Sequence, residues 1–150
     1  MRLAVGFLAR HDRTVAEVEK FLAARGALPH QITRVIHRLT DLHYLSDQDY
    51  AQRWVESRLS TRPMGSERLK AELQAKGIPD VVADRVVTGA FRTVKEETLA
   101  HRALQAKQGR GRSLTPVQME RVLRQRGFED ETIERVIRER QRKEERVHEE

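Results

Sequence analysis

The sequence predicts an all-α fold, built as tandem three-helix repeats that form an elongated helical body. Three observations carry this. First, one pattern occurs three times around a glycine: VEKFLAARGALPHQITRVI, LKAELQAKGIPDVVADRVV and MERVLRQRGFEDETIERVI, with Gly26, Gly77 and Gly127 at spacings of 51 and 50 residues. In each, a basic residue precedes the glycine (Arg25, Lys76, Arg126) and a leucine stands four before it (Leu22, Leu73, Leu123). An apolar residue stands eight before it (Val18, Leu69, Met119) and an arginine eight after (Arg34, Arg85, Arg135), followed by two aliphatics. Second, no segment shows the apolar/polar alternation of a strand. Third, 38% of residues are hydrophobic, 35% are charged and 5% are aromatic, which suits small helix-on-helix cores better than a thick buried sheet.

The elements follow in order. The opening MRLAVGFLARHDR is a short apolar stretch broken by Arg10, too short to span a membrane and without a small-residue cleavage signal. Thr14 and Glu17 have the spacing of a capping box, which starts a helix whose Val18, Phe21 and Leu22 share one face. Gly26 fits the residue after a helix end, where a left-handed backbone is cheap for glycine alone, and Pro29 opens the next helix. A linking helix is expected from Asp47 to Ser60, capped by Ser46, with Tyr50, Ala51, Trp54, Val55 and Leu59 as its apolar stripe. Thr61 to Gly65 reads as a linker and Ser66 as the cap of the second unit's helix, which ends at Gly77 before Pro79.

A second linking helix is expected from Phe91 to Gln108, using Val94, Leu99, Ala103 and Leu104. The segment Gln108 to Ser113 holds GRGRS and reads as a flexible linker. Thr115 before Pro116 starts the third unit, Gly127 divides it, and Glu129 marks the last helix. The closing RERQRKEERVHEE, with five basic and five acidic residues, continues that helix. The expected division is 1–62 for the first repeat with its linking helix, 63–109 for the second and 110–150 for the third.

No catalytic constellation emerges. There is no cysteine, hence no disulfide, thiolate metal site or thiol nucleophile. The six histidines form no HExxH or related metal spacing, and neither a phosphate-binding GxxxxGK[ST] loop nor a GxSxG elbow occurs. Asp47 and Asp49 follow Ser46 and read as partners of a helix dipole rather than paired catalytic carboxylates. The expectation is a non-enzymatic, cytoplasmic monomer with no cofactor, no metal and no membrane segment.

Charge points to an anionic partner. The net charge is +6, and the window His101–Arg126 alone carries +6, with Arg102, Lys107, Arg110, Arg112, Arg121, Arg124 and Arg126 against Glu120. A second basic window holds Arg53, Arg58, Arg62, Arg68, Lys70 and Lys76. Arginine outnumbers lysine 23 to 6, and its planar fork suits carboxylates and phosphates. These thirteen residues are the candidate contacts with a partner or with DNA. The alternative is a helix-turn-helix protein that reads duplex DNA. Against it, the would-be recognition helices of the second and third units begin with Asp80 and Asp84, or with Glu129, Asp130 and Glu131, which would face a strongly negative groove; that of the first unit, PHQITRVIHRL, escapes this objection and leaves one weak candidate.

The stretch LHYLSDQDYAQRWVESRLSTRPMGSERLKAELQAKGI resembles the signature region of RecX regulatory proteins. It holds an aromatic-leucine-acid cluster (Tyr44, Leu45, Asp47), a Tyr-Ala pair (Tyr50, Ala51), Arg58, Gly65, and a leucine-rich helix closing on Lys76-Gly77-Ile78. Upstream, Arg10, Thr14, Glu17 and Val18 are similar to the family's opening, with valine where leucine is usual; the charged C-terminal extension has no family counterpart. The resemblance implies a modulator of the RecA recombinase. Such a protein lies in the groove of the RecA–single-stranded-DNA filament and opposes its growth, ATP hydrolysis or strand exchange without catalysis of its own. It leaves open whether single-stranded DNA is touched directly.

Overall fold

A computed structural model describes residues 1–109 and 111–149. Those residues form nine helices and no strand: α1 (Arg2–Arg10), α2 (Val15–Ala24), α3 (Pro29–Asp41), α4 (Asp47–Thr61), α5 (Ser66–Ala75), α6 (Asp80–Thr93), α7 (Glu96–Gln108), α8 (Pro116–Gln125) and α9 (Asp130–His148). The all-α tandem-repeat architecture is therefore as the sequence implies. Each repeated glycine ends a helix with a left-handed backbone, at φ 85° for Gly26, 84° for Gly77 and 77° for Gly127. After each one, the next residue's N–H reaches back to a leucine carbonyl: Ala27 to Leu22, Ile78 to Leu73 and Phe128 to Leu123, all at 3.1 Å. This is the 6→1 bond that closes a helix end.

The helix starts are equally local. Thr14 and Glu17 form the capping box, and Thr115 forms a second one with Gln118. Ser46 caps α4 by accepting from the Asp49 N–H at 3.2 Å. Two expected starts differ. Gly65, not Ser66, occupies the N-cap of α5, because the Ser66 side chain is drawn into contacts with later helices. The second linking helix begins at Glu96, not Phe91: α6 runs on to Thr93, and the chain turns extended at Val94 before α7. Phe91 is thereby the last apolar group of α6.

Three apolar clusters form along the chain. Ala4, Val18, Leu22, Leu39 and Leu45 make the first. The second gathers Tyr50, Ala51 and Val55 of α4 with Leu69, Leu73, Ile78 and Val87. Leu99, Ala103 and Leu104 of α7 join Met119, Leu123, Phe128, Ile133 and Val136 in the third. The linking helices thus pack forward: α4, expected with the first repeat, lies against α5 and α6, and α7 against α8 and α9. The reason is length. Fifteen residues of α4 lay their stripe along α6, whereas the first cluster is closed by the nine residues of α1. Trp54 is only half-buried at the edge of the second cluster, with the Arg58 guanidinium 5.2 Å from its ring. In the third unit, Arg140 of α9 fastens to α7 through the His101 carbonyl at 3.2 Å and Gln108 at 3.3 Å.

A row of small cores exposes more surface than one large core. The chain shows 10385 Å² to solvent, against about 7,900 Å² for a compact monomer of its mass. Deleting a buried leucine such as Leu73 should cost about 2–5 kcal/mol.

The three glycines are not equivalent in their surroundings, and this gives a sharper test. A Cβ on Gly26 would meet nothing within 4 Å, whereas one on Gly127 would lie 2.1 Å from the Arg68 Cβ and 2.5 Å from its backbone nitrogen. Gly26→Ala is expected to lose about 1–2 kcal/mol from the left-handed backbone alone. Gly127→Ala should lose clearly more, as urea denaturation of the two variants would register.

Candidate functional site

The functional surface of a repeat protein is set by how its units are joined. Here two joints use the same positions. At the first, the N-cap of α2 meets the glycine turn after α5: Thr14 Oγ1 donates to the Lys76 carbonyl at 2.9 Å. The ideal Cβ of Gly77 would fall 2.3 Å from that of Ala16, so only glycine allows this approach. The first free amide of α2, the Val15 N–H, donates to Asp47 Oδ1 at 2.8 Å. Asp47 is the first residue of α4, so one carboxylate serves the dipole of its own helix and the orphan donor of another.

At the second joint, the N-cap of α5 meets the glycine turn after α8. The Gly65 N–H donates to the Arg126 carbonyl at 2.9 Å, and the Glu67 N–H to the Gly127 carbonyl at 3.1 Å. The first amide of α5, Ser66 N–H, donates to Glu96 Oε1 at 3.0 Å, and Glu96 is the first residue of α7. Lys76 and Arg126 are matched positions of the repeat, as are Thr14 and Gly65, each twelve residues before its glycine. Asp47 and Glu96 match as helix openers. The two joints thus use matched positions of the repeat.

The second joint also brings two carboxylates to one hydroxyl. Ser66 Oγ stands 3.2 Å from Glu96 Oε1 and 3.1 Å from Glu129 Oε1. Burial, more than the neighbouring Glu129 charge, pushes the Glu96 carboxyl up from its ordinary value, while the Ser66 N–H pulls the other way. Asp47 is shifted in the same direction by burial. None of these residues was singled out for a joint by the sequence, because the partners are 30 to 63 residues apart.

The basic candidates divide into two groups. Arg53 grips Asp12 with two bonds at 2.7 and 2.9 Å. Arg58 and Arg68 share Glu72 at 3.7 and 3.3 Å, and Arg68 also donates to the Gln125 carbonyl at 3.0 Å, across the second joint. Lys70 pairs with Asp84 at 3.4 Å, and Arg124 with Glu120 and Asp130 at 2.9 and 3.0 Å. These five charges are committed within the molecule. Arg62, Lys76, Arg102, Lys107, Arg112, Arg121 and Arg126 make no ion pair among the described residues. All but Lys76 and Arg126 are well exposed. Arg110, also a candidate, lies outside the described residues. The acids that open α6 and α9 are likewise used internally: Asp80 accepts from Gln74 at 3.0 Å.

A family model for the second three-helix domain of RecX matches residues 46–87, from the cap of α4 into α6. The regulatory protein RecX of Lacticaseibacillus paracasei is 32% identical over 142 residues, covering 91% of this chain and 58% of that protein. That of Chromohalobacter salexigens is 40% identical over 86 residues, covering 57% and 56%. The crystal structure of RecX from Lactobacillus salivarius superposes with a TM-score of 0.77 at 26% identity, covering 92% of both chains. The chain belongs to the RecX family. It spans between half and three-fifths of the length of these curated RecX relatives. Among the described residues of this RecX-family chain, no group of three or more His, Asp or Glu could hold a metal ion. No helix among them is long and apolar enough to cross a membrane.

The raised Glu96 carboxyl carries a pH dependence. A carboxyl that holds its proton more tightly in the folded chain than in the unfolded one costs stability above its folded titration range, and that cost vanishes as acid protonates it. Glu96→Gln keeps an acceptor for the Ser66 N–H and removes the buried charge. It should therefore raise the melting temperature at pH 7 and lose that advantage as acid protonates Glu96, by about pH 3, below the ordinary carboxyl range.

Proposed function

We propose that this protein binds the RecA–single-stranded-DNA filament along its groove and restrains its ATPase, assembly and strand exchange. Family membership supports the regulatory role. The observation that carries the filament reading is the twice-repeated joint. Matched positions form both joints along the molecule, so a partner that is itself periodic can meet like surfaces more than once. Several weak contacts on one body combine through effective concentration, and the affinity of the whole exceeds that of any unit. Units held at such joints would lose little ordering entropy on binding.

The unpaired basic side chains supply the attraction. Arg62, Arg102, Lys107, Arg112 and Arg121 are exposed and carry no internal carboxylate. They are available for acidic side chains of RecA protomers or for phosphates of the filament's DNA. Arg53, Lys70 and Arg124 act instead as struts within the molecule.

ATP hydrolysis by RecA on single-stranded DNA is the direct assay. Near-stoichiometric protein should suppress it, and unchanged hydrolysis would contradict the proposal, as would sequence-selective duplex binding in the absence of RecA. Within that assay, Arg112→Glu with Arg121→Glu should weaken inhibition by roughly tenfold or more, each buried charge-assisted contact being worth about 1.5–3 kcal/mol. Helical circular dichroism should be unchanged. Lys70→Glu should instead lower the melting temperature through repulsion from Asp84.

A further inference from the structure

Of the three glycine turns, two are covered and one is bare. The turn at Lys76-Gly77 holds the start of α2, and the turn at Arg126-Gly127 holds the start of α5. The matching turn at Arg25-Gly26 has no neighbour within 4 Å of where a Cβ would stand. No hydrogen bond among the described residues reaches the carbonyl oxygen of Arg25 or Gly26. The Arg25 side chain is folded back, with its guanidinium 4.8 Å from the centre of the Phe21 ring. Leu28, just beyond the turn, is 53% exposed. Its counterpart in the third unit is Glu129, which touches the docked helix start through Ser66 at 3.1 Å.

We infer that the Arg25-Gly26 turn is an unused half-joint that receives the N-terminal turn of an α-helix from a protein partner. The molecule displays the occupant twice. In both filled joints the turn offers carbonyl oxygens, and what satisfies them is a helix start, through a threonine hydroxyl at Lys76 and backbone N–H groups at Arg126 and Gly127. Helix starts carry such unpaired donors. A phosphodiester has none to give, so the turn's carbonyls do not suit a nucleic-acid backbone.

A second copy of the chain is the alternative occupant. Of the starts that match those of α2 and α5, that of α8 lies outside a joint among the described residues; it keeps the Thr115 hydroxyl but has Pro116 where Val15 and Ser66 donate to Asp47 and Glu96. The last turns of α9 also lie beside that start, with Lys143, Glu144, Val147 and His148 lining one cleft with Thr115 and Pro116. The inference rests on the filament reading above, which makes the partner helix one belonging to a RecA protomer.

The test is Gly26→Asn. Asparagine tolerates the left-handed backbone, and its side chain would occupy the space into which Ala16 and Arg68 project in the filled joints. With purified RecA on single-stranded DNA, the concentration giving half-inhibition should rise at least tenfold, while circular dichroism and the melting curve stay close to those of the parent. Hydroxyl-radical footprinting of the unaltered protein gives a reading that no variant can confound. Filament binding should protect Leu28 and leave Val117, 68% exposed in the first turn of α8, as reactive as before. Inhibition undiminished in the variant, or Leu28 unprotected on a bound filament, overturns the half-joint and leaves the filament reading standing. Self-association of the free protein that Gly26→Asn abolishes would assign the turn to a second copy and overturn the inference. If the parent protein neither binds nor inhibits the filament, both the half-joint and the filament reading fall.

Discussion

The structure depends on the close approach of a helix start to a glycine turn. Two backbones come together at each joint because the turn residue has no side chain. At Gly77 and Gly127 the left-handed backbone and the missing Cβ serve different ends at once: the first closes a helix, and the second admits a neighbour. The donors left over at the start of α2 and α5 then meet carbonyls and a carboxylate instead of water. A unit of about fifty residues, the spacing of the glycines, buries little apolar surface and is marginal alone. Its stability therefore comes in part from these interfaces, as in other stacked repeats.

Electrostatics follows from the same arrangement. Asp47 and Glu96 open their own helices and satisfy amides of the preceding unit, and this is why they are half-buried and hold their protons more tightly than usual. Much of the arginine content is likewise spent inside the molecule. Arg68 reaches across the second joint to Gln125 while sharing Glu72 with Arg58. A high basic count in such a protein therefore overstates the charge offered to a partner, and the exposed arginines without carboxylate partners are the informative ones.

Much of this was legible in the sequence and some was not. The glycines, the capping box at Thr14 and the Thr115-Pro116 start depend on residues within a few positions of one another, so the pattern reveals them. The break between α6 and α7 left no such trace. Val94 and Lys95 are neither glycine nor proline, and only the capture of Glu96 by Ser66 makes a helix begin there. Gly65 reads as a linker residue because its role, contact with the Gly127 carbonyl, comes from 62 residues away. The basic windows are visible in the sequence as stretches of charge, but pairing with Asp12, Glu72, Asp84 and Asp130 is a matter of the fold and was invisible to spacing.

The account stands or falls on the units being held in one constant relation. Because the chain has no cysteine, spin labels can be placed uniquely on Thr33→Cys and Glu134→Cys, exposed and matched positions of the first and third units. Pulsed dipolar spectroscopy of the doubly labelled protein should give a single narrow distance distribution at neutral pH. A broad or multimodal distribution would contradict it, since units that move freely on their linkers have no use for two matching joints.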